Sequence, residues 1–265
     1  MFNIDQFAYN NRLRHVHPLE KLLLTGLTMG AVLSRPQPVV TGLVLLIMNG
    51  ILWGRAGIPL RYLVRLLLLP FSFLLLSAWT ILLSLSTEPV SGIITWKIGP
   101  LFAGIDWRQL GLALRVILQA LAAVSCLYFL ILTTPMVEIL GILRRLQIPP
   151  LLLELMGLVY RFIFVLAETA VQIQISQASR WGYASLGNSY RSLGQLITAL
   201  LFKSQQRSRQ LYQALEARGY QGELRVLEPE YHWSGANLAL IALVQMVLWF
   251  MALNGGGEKI VIFHS

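Results

Sequence analysis

Apolar residues gather into five runs, at about 18–33, 39–53, 63–85, 110–132 and 235–253, and the breaks between them are polar or carry proline. A bilayer core takes about 20 apolar residues as a helix, so these runs read as membrane spans. The first two are short. They are joined by Ser34-Arg35-Pro36-Gln37-Pro38 and need partner helices or flanking residues to reach across. Between the third and fourth runs, residues 86–109 alternate Gly, Pro, Ile and aromatics around a Gly99-Pro100 turn. That pattern predicts a short β-hairpin on the outer face.

Residues 133–234 differ: apolar positions recur at helical spacing beside many polar ones. Thr134-Pro135 predicts a helix start, with a short amphipathic helix running to about 146. Ile148-Pro149-Pro150 breaks it. Two long helices follow, at about 151–180 and 191–218, with Gly187-Asn188-Ser189 between them and Gly219 as the final stop. Residues 151–167 are apolar enough to pass for a sixth span, were Glu154 and Arg161 neutralised within a bundle. The expected fold is an all-α integral membrane protein. A four-span bundle (1–132) and cytoplasmic helices (133–234) precede a last span with its tail (235–265).

Composition agrees. Of the 265 residues, 56% are hydrophobic and 12% charged, against about 25% charged in soluble domains. The 21 Lys/Arg and 12 Asp/Glu leave a net charge of +9. With the N-terminus in the cytoplasm, Arg12, Arg14, Lys21, Arg55, Arg61, Arg65 and the ten Lys/Arg of 133–234 fall inside. Only Arg35, Lys97, Arg108 and Lys259 fall outside. That asymmetry sets the orientation by the positive-inside rule and puts the tail outside. It also makes nucleic-acid binding a poor reading of the high basicity, because the cations sit between apolar runs. The polar lead before residue 18 lacks the pattern of a cleavable signal. The single cysteine, Cys126, excludes a disulfide within the chain and reads as a small buried apolar residue.

Residues for catalysis are sparse. There is no HExxH, Gly-x-Ser-x-Gly or phosphate-cradling Gly-rich loop. His15 and His17 could meet a transition metal, yet two imidazoles do not close a site, so no metal site and no cofactor are expected. Arg65 and Arg115, near span ends, snorkel to the interfaces. Glu154, Arg161 and Glu168, seven apart, share one helix face. In so apolar a helix they read as a salt-bridged seam against the second long helix, or as a seam that transmits tilt.

The two long helices end alike. One ends Ala178-Ser179-Arg180-Trp181-Gly182-Tyr183, the other Glu216-Ala217-Arg218-Gly219-Tyr220. Each puts an arginine at a helix tip beside a glycine. These endings resemble the coupling helices of the T component of energy-coupling factor (ECF) transporters. The resemblance is closest to the cobalt/nickel CbiQ branch and spans about residues 15–250. His17-Pro18 with Lys21, Leu132-Thr133-Thr134-Pro135, Leu146-Gln147-Ile148-Pro149, Tyr160-Arg161-Phe162-Ile163-Phe164-Val165-Leu166 and 211–220 match that branch in order.

The resemblance implies a non-catalytic, multi-pass subunit of the cell membrane. Its partners would be two ABC-type ATPases, each taking one helix tip, and a separate membrane substrate-binding (S) subunit. Arg218, with Ala217 and Gly219, matches the family's Ala-Arg-Gly directly. Arg180 matches loosely, since Trp181 stands as an extra residue before Gly182. Cobalt or nickel is the implied substrate, with a vitamin as the alternative. A stand-alone transporter would need charged residues at mid-membrane, and a membrane enzyme convergent polar groups at one depth. The five runs offer neither.

Overall fold

The computed structural model describes residues 3–34, 37–82, 84–86, 94–98, 101–105, 107–220 and 235–254. The Gly99-Pro100 turn, the stretch 221–234 and the tail from 255 lie outside them. The chain divides into two compact units, Met1–Pro135 with Glu230–Ser265, and Met136–Pro229.

The first unit holds α1 (Asn3–Asn10), α2 (Pro18–Ser34), α3 (Pro38–Gly54), α4 (Leu60–Leu82), α5 (Trp107–Thr133) and α9 (Gly235–Asn254). Prolines open α2 and α3, where a missing N–H costs nothing and φ is already helical. Three short strands, β1 (Ser84–Ser86), β2 (Ile94–Ile98) and β3 (Leu101–Ile105), lie between α4 and α5. They are antiparallel in the order β1-β3-β2, and β2 and β3 pair from Ile94↔Ile105 to Ile98↔Leu101. Within the predicted hairpin, β2 and β3 thus pair antiparallel, while the Gly99-Pro100 turn lies outside the described residues.

Helix α5 is the centre of this unit and packs on α1, α2, α3 and α4. Its Ala122, Cys126, Phe129 and Leu132 join Val40, Val44, Met48 and Leu52 of α3 and Leu248 of α9 in one buried core. Lipid is as apolar as these side chains, so polar contacts hold the helices in register. Asn49 Nδ2 donates to Ser125 Oγ at 3.1 Å, Tyr128 donates its hydroxyl to the Leu66 carbonyl at 3.2 Å, and Gln245 Nε2 donates to the Leu24 carbonyl at 3.3 Å. Leu68, Leu69, Phe73, Leu76 and Trp79 of α4 stay exposed, as a lipid-facing surface should.

The second unit comprises α6 (Met136–Arg145), α7 (Pro150–Ala178) and α8 (Leu186–Ala217). The break between the long helices falls at 179–185. Ser185, rather than Gly187-Asn188-Ser189, marks the restart: its hydroxyl accepts the Asn188 N–H at 3.3 Å, so those three residues lie in the first turn of α8.

Among the described residues, α4, α5 from Gln109, and α7 are long and apolar enough to cross a membrane, and α3 and α9 are apolar but shorter. The fold is that of an all-α membrane protein with a small sheet. Helix α7, placed with the cytoplasmic helices by its flanking charge, has the length and composition of a span. The apolar content lies in its first half; from Glu168 onward it turns polar.

Candidate functional site

The candidate residues singled out in the sequence lie in the second unit, and hydrogen bonds fix the backbone at the helix ends that carry the arginines. At the end of α8, Gly219 has φ +74°. The Gly219 N–H bonds the Glu216 carbonyl at 3.0 Å and the Tyr220 N–H bonds the Leu215 carbonyl at 3.0 Å. This is a Schellman termination, with glycine in the left-handed position and Arg218 just before it.

The end of α7 is built the same way. Trp181 has φ +56°, its N–H bonds the Ala178 carbonyl at 3.1 Å, and the Gly182 N–H bonds the Gln177 carbonyl at 2.9 Å. Arg180 therefore stands where Arg218 stands, one residue before the left-handed turn. Trp181 is not an insertion before the glycine. It occupies the glycine's place, and Gly182 occupies the place of the aromatic. Gly182 has its own reason: a Cβ there would meet Ser192 Oγ at 2.7 Å and the Gln177 carbonyl oxygen at 2.8 Å. Gln177 ties the turn together. Its Nε2 donates to the Ser192 carbonyl at 2.9 Å and its Oε1 accepts the Tyr183 hydroxyl at 2.8 Å. Helix α6 ends in a third such turn, with Gln147 at φ +59°.

Arg180, Ala217, Arg218 and Gly219 are exposed, and Gly182 is half-buried. Arg180 precedes α8 and Arg218 follows it, so the 32 residues of α8, about 48 Å of helix, lie between the two arginines. The tips do not form one site; they stand at opposite ends of a helix. The Tyr220 hydroxyl donates to Glu154 Oε1 at 2.6 Å, joining the end of α8 to the start of α7. Arg161 and Glu168 are exposed, and among the described residues no ion pair joins the three charges of that face. Near the second tip, the Glu216 carboxylate, one turn on, accepts from the Tyr212 hydroxyl and pushes it above the ordinary phenol range.

The first unit holds a buried polar cluster of which the sequence marked only His17, Lys21 and Thr133, as separate landmarks. Asn11, His17, Glu20, Lys21 and Thr133 are all buried. Lys21 Nζ donates to the Thr133 carbonyl at 2.9 Å, and Asn11 Nδ2 donates to the Leu132 and Thr133 carbonyls at 3.2 and 3.3 Å. These are carbonyls at the end of α5, which lack partners within the helix. His17 Nδ1 accepts the Leu19 N–H at 3.1 Å and so caps α2, while His15 is exposed. Arg65 and Arg115 are exposed on their helices.

The model of the family described as cobalt transport protein, CbiQ, matches residues 9–230. The CbiQ protein of Salmonella typhimurium is 34% identical over 226 residues, covering 85% of this chain and all of that protein. The CbiQ protein of Rhodobacter capsulatus is 34% identical over 248 residues, 93% of this chain and 96% of its own length. The chain belongs to the CbiQ family. A putative fused cobalt transport protein CbiMQ of Methanocorpusculum labreanum matches at 29% over 231 residues, 86% of this chain but 38% of its own length. The CbiQ match takes in the buried Lys21 cluster and both arginine-tipped helix ends.

Proposed function

We propose that this chain is the membrane coupling subunit of an ECF-type ABC importer. It transmits the ATP-driven motion of two ATPase subunits to a separate S subunit, and cobalt or nickel is the cargo. The observation that carries this reading is the pair of equivalent helix terminations. Each places an exposed arginine one residue before a left-handed turn, and about 48 Å of helix separates them. Two tips of the same backbone form that far apart suit two sockets rather than a single ligand. Arginine fits the task, because it stays charged and grips a carboxylate or carbonyls at two points.

On this reading residues 133–234 face the cytoplasm with the N-terminus, in line with the excess of Lys/Arg there. The apolar first half of α7 meets lipid or the S subunit. Hydrolysis belongs to the ATPases, and this chain is not catalytic. The fused relative, in which the matched segment is 38% of the length, favours a further subunit working beside this one.

The test is co-purification of the ATPases with wild type, Arg180→Glu, Arg218→Glu and the double variant, together with ATP-dependent cobalt and nickel uptake. The double variant is expected to remain in the membrane and lose both. Full retention and uptake by the double variant would overturn the reading.

A further inference from the structure

The two tips share a backbone but differ in what they present. At the second tip the left-handed residue is glycine, with open space around it. At the first it is tryptophan, and its side chain is 79% exposed. A bulky residue at positive φ is strained, because its Cβ crowds the neighbouring carbonyl. Trp181 offsets little of that strain through packing. Stability of the turn would favour glycine there, as at residue 219. Exposed beside Trp181 are Arg180, Leu186 (81%), Tyr190 (76%) and Arg191. Trp, Tyr and Arg are the residue types that dominate the energy of protein interfaces.

We infer that Trp181 is the anchor of the first tip, inserting into an apolar pocket rimmed by acidic groups or carbonyls on one ATPase subunit, so that the two tips are held unequally. This rests on the coupling reading. Charge selects the rim: from Thr169 to Leu215 there is no Asp or Glu, while Arg180, Arg191, Lys203, Arg207 and Arg209 are all present. Distance selects a protein over the bilayer surface. Thirteen residues lie between the apolar first half of α7, ending at 167, and Trp181, which is about 20 Å of chain at helical rise. The second tip, with glycine in that place, offers only its arginine and depends on ionic contact.

The assembled transporter tests this with Trp181→Gly, Trp181→Phe, Arg218→Glu and a photo-crosslinking benzoylphenylalanine at position 181. Trp181→Gly is expected to leave the detergent-purified chain at least as thermally stable as wild type, since the turn accepts glycine. Retention of the ATPases is expected to fall roughly tenfold, the scale of a central aromatic anchor, with Trp181→Phe in between. The crosslinker is expected to capture an ATPase subunit. Wild-type retention by Trp181→Gly, with loss by Arg218→Glu, would overturn the anchor and leave the coupling reading standing. Crosslinking to lipid alone would overturn it in favour of a membrane contact. Wild-type retention by both variants would overturn the anchor and the coupling reading together.

Discussion

Lys21 Nζ lies 2.9 Å from the carbonyl oxygen of Thr133, 112 residues along the chain, and Asn11 Nδ2 reaches the same oxygen at 3.3 Å. Two side chains from the N-terminal region thus serve the last turn of α5. Both are buried, so neither donor can be replaced freely by water. Lys21→Met and Asn11→Ala are each expected to lower stability by about 1–3 kcal/mol, the cost of stripping a buried partner. Because both serve one carbonyl, the double substitution should cost more than the sum of the two. Thermal unfolding of the detergent-purified variants checks this; additive losses would mean that the two donors act independently.

Gly182 and Gly219 are both expected to resist substitution, for different reasons. A Cβ at residue 182 meets Ser192 Oγ at 2.7 Å and the backbone oxygen of Gln177 at 2.8 Å. The backbone cannot give way, so Gly182→Ala should behave as overpacking, at about 1–3 kcal/mol. Gly219 has open space but φ +74°. Gly219→Ala should cost about 1 kcal/mol through backbone strain alone. Helical circular dichroism followed through thermal unfolding should give a larger loss for Gly182→Ala.

Much of this was legible in the sequence. Proline and glycine punctuation located α6, α7 and α8, and strict alternation located the β2–β3 hairpin. The contact of Lys21 with Thr133 was not legible: local spacing carries no information about pairing across 112 residues, although both residues sat in recognisable motifs. The register of the first tip misled for a physical reason. Glycine is the ordinary left-handed residue, so Gly182 drew the turn one residue too far, when the close approach of Ser192 is what requires it. Gly187-Asn188-Ser189 misled similarly, since the small polar residues that favour a loop also suit the first turn of a helix. The face of Glu154, Arg161 and Glu168 was readable as a face, but its one resolved partner, the hydroxyl of Tyr220, lies 66 residues away from Glu154.

Tyr212 supplies a pH-dependent prediction. The Glu216 carboxylate raises its pKa, so the pair stabilises α8 while the phenol stays protonated. That contribution is fully present below the ordinary phenol value of about 10 and is lost as pH rises through the raised value. Tyr212→Phe should therefore lower the stability of α8 slightly at neutral pH, where the pair is intact, and flatten the alkaline side of its profile, where wild type loses the pair anyway. An unaltered alkaline profile would show that the pair contributes nothing.

The 2.6 Å bond from Tyr220 to Glu154 follows Arg218 by two residues and fastens the end of α8 to the start of α7. On the proposed mechanism, a force applied at Arg218 reaches α7 through this link as well as through the turn at Gly182. Tyr220→Phe removes the donor and keeps the ring, a loss of about 1 kcal/mol, the ordinary net worth of one hydrogen bond. ATPase retention should stay near wild type, because Arg218 and its turn remain. ATP-driven cobalt uptake should fall several-fold, because the tip moves with less of α7 behind it. Glu154→Gln keeps an acceptor oxygen and should fall between the two. If Tyr220→Phe transports like wild type while Arg218→Glu does not, motion passes from the second tip along α8 alone, and the Tyr220–Glu154 bond serves only to hold the unit together.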